Sequence, residues 1–207
     1  MAKLKIVGLG GSLGLGSQSR AALVTALAGA ADAGAETRLL DLRELELPMY
    51  DPDDEAATES TQRMVDELYE ADGLLWSSPL YQGSISGAFK NALDWLRLLG
   101  DRDPAYLSDK VIGLISAAGG GQGLQAINTM EFCVRALRGW AVPLVVPVAG
   151  AGRAFDNEGR PQDEAVERQL RMLGSEVVRV AEHFAVHESP DHETECERAR
   201  ERVEAVA

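Results

Sequence analysis

The stretch KLKIVGLGGSLGLGSQSRAALVTALAGAADA, residues 3–33, decides the fold. Lys3 to Leu9 is an apolar run flanked by lysines and ended by glycines, the length and composition of a buried strand. Gln18 to Ala33 is rich in alanine and leucine, which form helix readily. Between them runs Gly10-Gly11-Ser12-Leu13-Gly14-Leu15-Gly16-Ser17-Gln18-Ser19-Arg20. Its glycines let the backbone curl, its hydroxyls offer hydrogen bonds, and it feeds a helix N-terminus, a combination that suits a phosphate. It is not a P-loop, because no Gly-Lys-Ser/Thr follows. The dinucleotide fingerprint also fails, since Gly8-x-Gly10 leads to Leu13 where a third glycine belongs.

The same alternation continues outward. Glu36 to Leu42 reads as a second strand, and an acidic segment through Pro48, Asp51 and Pro52 leads to Thr58, an N-cap for a helix over Glu59 to Tyr69. Gly73 to Ser77 is a third strand, which Pro79 is expected to stop before a helix from Ser86 to Leu99. Val111 to Ala117 is a fourth strand. The run Gly119 to Gly123 then opens a helix to Leu137, Ala141 to Val148 is a fifth strand, and Asp163 to Phe184 is a final amphipathic helix. Five strands joined through helices predict one α/β domain over residues 1–186, a parallel sheet with helices on both faces. The charged end, His187 to Ala207, reads as a solvated helix or tail.

Composition excludes several classes of partner. The 207 residues carry a net charge of −13, and Lys3, Lys5, Lys90 and Lys110 are the only lysines, so a nucleic-acid or anionic-membrane surface would have to rest on a local cluster of arginine, and none is evident. No apolar run approaches the roughly 20 residues of a membrane span. Cys133 and Cys196 stand far apart, without disulfide or zinc spacing, and a reducing cytoplasm is the expected setting. His183 and His187 have i,i+4 spacing but lack the glutamate of a His-Glu-x-x-His motif, so no metal is expected.

The most specific passage is Ser78-Pro79-Leu80-Tyr81-Gln82-Gly83-Ser84-Ile85-Ser86-Gly87, followed by Lys90-Asn91 and Asp94-Trp95. Together with Gly11-Ser12, Asp41-Leu42-Arg43, Pro48 and the run Gly119-Gly120-Gly121-Gln122-Gly123, it resembles the NADPH-dependent FMN reductase family. The resemblance covers Lys3 to Phe184. It implies a flavodoxin-like sheet of order 2-1-3-4-5, with FMN at the switch point between strands one and three and NADPH or NADH as hydride donor.

By the same resemblance Ser12, Leu13, Gly14, Ser17, Gln18 and Ser19 surround the FMN phosphate. Pro79, Leu80, Tyr81, Gln82, Gly83 and Ser84 run along the isoalloxazine, and Ser116, Ala117, Ala118, Gly119, Gly120 and Gly121 border it from the other side. The lack of bulk there leaves a ring face for nicotinamide, and hydride transfer between the two rings requires no catalytic acid or base. One departure stands out: the family often places an arginine where this chain has Gly14. Arg20 offers a substitute, and a solvent-exposed helix residue is its other reading.

The resemblance further implies a quinone, azo compound, metal oxyanion or free flavin as electron acceptor. A homodimer or homotetramer is implied as well, with Trp95, Leu96 and Leu99 in either core or interface. Three other readings stay open on sequence: an electron-transfer flavodoxin, a flavin-free scaffold, and a dehydrogenase holding nicotinamide directly, with Asp41 on its ribose. Tyr81 reads either as a ligand contact or as packing for its loop, and Lys90 with Asp94 as a surface i,i+4 pair.

Overall fold

The computed structural model describes residues 3–54 and 56–187. The expected tail therefore lies outside the described residues, apart from His187, which closes the last helix. Five strands form a parallel sheet: β1 (Lys5–Gly10), β2 (Glu36–Asp41), β3 (Gly73–Tyr81), β5 (Val111–Ala117) and β6 (Trp140–Val148). A two-residue strand, β4 (Ser84–Ile85), pairs antiparallel with the end of β3. The sheet order is β2-β1-β3-β5-β6. Counted by the five parallel strands, this is the expected 2-1-3-4-5.

Both sheet faces are covered, which is why β3 and β5 read as unbroken apolar runs rather than alternating ones. On one face Val7, Leu9, Leu74, Trp76, Ile112 and Leu114 pack against α3 (Glu59–Glu70), α4 (Gly87–Asp94) and α5 (Leu124–Ala136). On the other, Ile6, Leu75, Val111 and Ile115 meet α1 (Gln18–Asp32) and α7 (Glu164–His187). The small residues of α1 serve close packing. A Cβ on Gly174 would lie 2.0 Å from the Ala26 carbonyl oxygen, and one on Gly29 would lie 2.2 Å from that of Arg171. The two helices thus touch backbone to backbone.

Two expectations need correction. Pro79 does not stop the third strand: β3 continues to Tyr81, with Pro79 opposite Ala117. The physical reason is the strand's alternation. Ser77 presents its carbonyl to the Gly11 N–H on the β1 side, so Pro79, two residues on, turns its missing donor to that side, beyond the last β1 pair, Gly10–Ser77. The helix after it is α4 only as far as Asp94 and continues to Leu99 as a 3₁₀ turn. Trp95, Leu96 and Leu99 are at most 1% exposed and belong to the core, not to an interface. Two one-turn helices, α2 (Leu42–Leu45) and α6 (Ala151–Ala154), follow β2 and β6.

Candidate cofactor site

The carboxyl ends of β1, β3 and β5 bring three loops to one edge of the sheet, at the point where chain order reverses around β1. Close contact between β1 and β3 sets the first loop. A Cβ on Gly10 would lie 2.2 Å from the Ser77 carbonyl oxygen, and Gly11 has φ +98°, a conformation open to glycine. The Ser77 hydroxyl donates to the Ser19 carbonyl at 2.8 Å, fastening the start of α1 to β3.

Ser17 organises the rest of loop one. It is the N-cap of α1, and its hydroxyl accepts from the Ser12 N–H at 2.9 Å and the Arg20 N–H at 3.2 Å. It also lies 3.1 Å from the Ser19 hydroxyl. Ser12 accepts from the Gly14 N–H at 3.3 Å, while residues 13–16 stand exposed. The Gln18 amide nitrogen reaches the Gly16 carbonyl, and its oxygen is buried without a partner.

Arg20 is not a free cation: its Nε donates to Asp41 Oδ2 at 2.5 Å, and the Asp41 side chain is only 4% exposed. The other Asp41 oxygen accepts from the Arg43 N–H at 2.9 Å, capping α2. Asp41 is therefore fully engaged and not open to a ribose. The Arg43 guanidinium crosses to loop one, where it donates to the Leu13 carbonyl.

The second loop is a hairpin. Gln82 and Gly83 have φ +48° and +84° between the paired residues Tyr81 and Ser84, the backbone of a type I′ turn. The Ser78 hydroxyl accepts from the Ser86 N–H at 3.0 Å and closes the hairpin's base. Ser84 lies 3.5 Å from Thr129 on α5 through their hydroxyls. Tyr81 is 54% exposed at the tip of the hairpin. Lys90 and Asp94 form the expected surface pair.

Asn91 and Trp95, two positions of the same motif, do structural work: both donate to the Pro48 carbonyl at 2.9 Å, and Asn91 accepts from the Tyr50 N–H at 2.8 Å. They clamp the segment between α2 and α3.

In the third loop, Ala117 and Ala118 are buried and Gly119 to Gly121 are exposed, with open space around all three glycines. Ser116 is fully buried, and a Cβ on Gly123 would come within 2.9 Å of its hydroxyl. It therefore lies under the start of α5 rather than on the open side.

These residues suit a flavin mononucleotide. Among the described residues, four buried side-chain polar atoms lack a partner, and one of them, Gln18 Oε1, lies at the start of α1 beside loop one. Such an atom is expected where a ligand completes the hydrogen bonding. Residues 4–152 match the NADPH-dependent FMN reductase family.

The chain belongs to that family.

Membership makes it an NAD(P)H-dependent FMN oxidoreductase, with FMN and NADPH as cofactors. It is similar to the NADPH-dependent FMN reductase ArsH of Acidithiobacillus ferrooxidans, 34% identical over 134 residues, which are 64% of this chain and 54% of that protein. An NAD(P)H:quinone oxidoreductase of Solanum tuberosum is 30% identical, with 82% of this chain and 89% of that one matched. A solved archaeal flavodoxin superposes with a TM-score of 0.62 at 11% identity, covering 87% of this chain and all of its own, which shows the shared fold. Sequence reading of this family member missed the Arg20–Asp41 pair, whose partners lie 21 residues apart on separate elements.

Proposed function

We propose that the three loops hold one FMN, with its phosphate on loop one, its ring along the Pro79–Ser84 hairpin, and its second ring face open beside Gly119 to Gly121. When bound, FMN supplies hydride chemistry between the nicotinamide and an acceptor. The chain's own residues bind and orient. Backbone groups of Pro79 to Gly83 offer hydrogen bonds to the polar ring edge, and the type I′ turn holds them rigidly. Ser12, Ser17 and Ser19 supply hydroxyls to the phosphate. The observation that carries this reading is the convergence of the three loops at the switch point.

The quinone oxidoreductase relative supports a small-molecule acceptor of quinone type. Phe132 and Trp140, 72% and 57% exposed, support a homo-oligomer formed through α5 and β6. No helix among the described residues is long and apolar enough to cross a membrane.

The test is to load the purified protein with FMN, add NADPH under anaerobic conditions, follow bleaching of the flavin band, and then add a quinone. Bleaching and reoxidation are expected. Bound FMN that NADPH leaves oxidised would instead favour an electron-transfer flavodoxin.

A further inference from the structure

We propose that Arg43, reaching loop one from α2, supplies the positive charge that meets the FMN phosphate. The inference rests on the reading that loop one takes that phosphate. A phosphate monoester carries about −1.5 to −2 charges at neutral pH, and the chain around it has a net charge of −13. Residues 10–19 contain no lysine, arginine or histidine, so the loop offers hydroxyls and N–H groups but no full charge.

Two arginines stand beside it. Arg20 is held by Asp41 at 2.5 Å, and drawing it away would leave a carboxylate that is 4% exposed without its ion pair, a strongly unfavourable change. Arg43 has no such tie. Its guanidinium donates to a neutral carbonyl, that of Leu13, and among the described residues it forms no ion pair. Exchanging a carbonyl for a phosphate oxygen replaces a neutral acceptor with an ionised one, roughly doubling the strength of the hydrogen bond.

The backbone of Arg43 is meanwhile fixed. Its N–H is bonded to Asp41 Oδ1 at 2.9 Å, so the side chain is presented from a capped helix start rather than a loose loop. Arg153, on α6, is another exposed arginine, and among the described residues no hydrogen bond links it to loop one.

The experiment compares FMN with riboflavin, which has the same ring and ribityl chain but no phosphate. Dissociation constants are measured by quenching of flavin fluorescence for the wild type, Arg43→Gln, Arg43→Lys and Arg153→Gln. The expected result for Arg43→Gln is FMN weakened about tenfold and riboflavin changed less than about twofold. Arg43→Lys should recover part of the loss, and Arg153→Gln should bind FMN like the wild type.

The salt dependence of FMN affinity should also be flatter in Arg43→Gln, a readout that misfolding would not mimic. Equal losses for FMN and riboflavin, or the phosphate-specific loss appearing in Arg153→Gln instead, would overturn the proposal. So would a wild type that binds FMN with Arg43→Gln unaffected, and that outcome leaves the proposed function standing. A wild type that binds neither flavin overturns both.

Discussion

Replacing Ser17 with alanine separates the structural role of loop one from its ligand role. The Ser17 hydroxyl accepts from two backbone donors, Ser12 N–H and Arg20 N–H, and touches the Ser19 hydroxyl. Losing a serine cap costs about 1 kcal/mol. Ser12 is only 7% exposed, so its orphaned N–H adds about 1–3 kcal/mol, toward the low end because residues 13–16 leave water close by. The sum is about 2–3 kcal/mol, before any ligand is present. The assay is urea denaturation of the flavin-free protein, read as the shift in midpoint at unchanged slope. Ser17→Thr, which keeps the hydroxyl, should recover most of the stability. A Ser17→Ala midpoint within about 0.5 kcal/mol of the wild type, or a threonine variant as damaged as the alanine one, would refute the reasoning.

Gly174→Ala forces a methyl into the α1–α7 contact, where the nearest backbone oxygen would be 2.0 Å away, and should destabilise the fold by about 1–3 kcal/mol or more in thermal unfolding. Asn91→Ala removes both hydrogen bonds to the segment at Pro48 and Tyr50 and should cost about 1–3 kcal/mol, with faster proteolysis between α2 and α3; unchanged proteolysis would count against the clamp. Burial pushes the Cys133 thiol above its usual range, Lys90 pulling it down and Asp94 pushing it up by smaller amounts. In a Cys196→Ser background Cys133 should therefore react with a disulfide reagent at mildly alkaline pH more slowly than free cysteine, gaining speed as pH rises. Reaction at the free-cysteine rate would contradict its placement.

The parallel sheet was legible because each central strand is buried on both faces, so Leu74 to Trp76 and Val111 to Ile115 announce themselves as short apolar runs. Capping was legible too: Thr58 starts α3 with its hydroxyl on the Thr61 N–H at 3.2 Å. Pro79 was misread because its consequence depends on which neighbour its missing donor faces. That follows from where β1 ends, which local sequence does not state. The hairpin at Gln82-Gly83 carried a turn signal, but one followed by only two paired residues. The one-turn helices α2 and α6 are too short for periodicity to show.

At the site, the positions of the three loops followed from strand order, whereas the occupancy of individual side chains did not. Arg20 reads as a phosphate ligand or an exposed helix residue until Asp41 is seen to hold it. Ser116 reads as a ring contact until Gly123 is found above it, and Trp95 as core or interface until its indole is placed on Pro48. Each outcome depends on a contact between elements distant in the chain, and such contacts leave no local trace.

The measurement that tests the account most directly is amide hydrogen exchange of the protein with and without FMN. One flavin spanning the sheet edge should slow exchange together in residues 11–19, 79–84 and 116–121, three segments that share no continuous stretch of chain. Protection in only one of them, or in a surface elsewhere such as α5 at Phe132 and β6 at Trp140, would contradict a single cofactor held at the switch point.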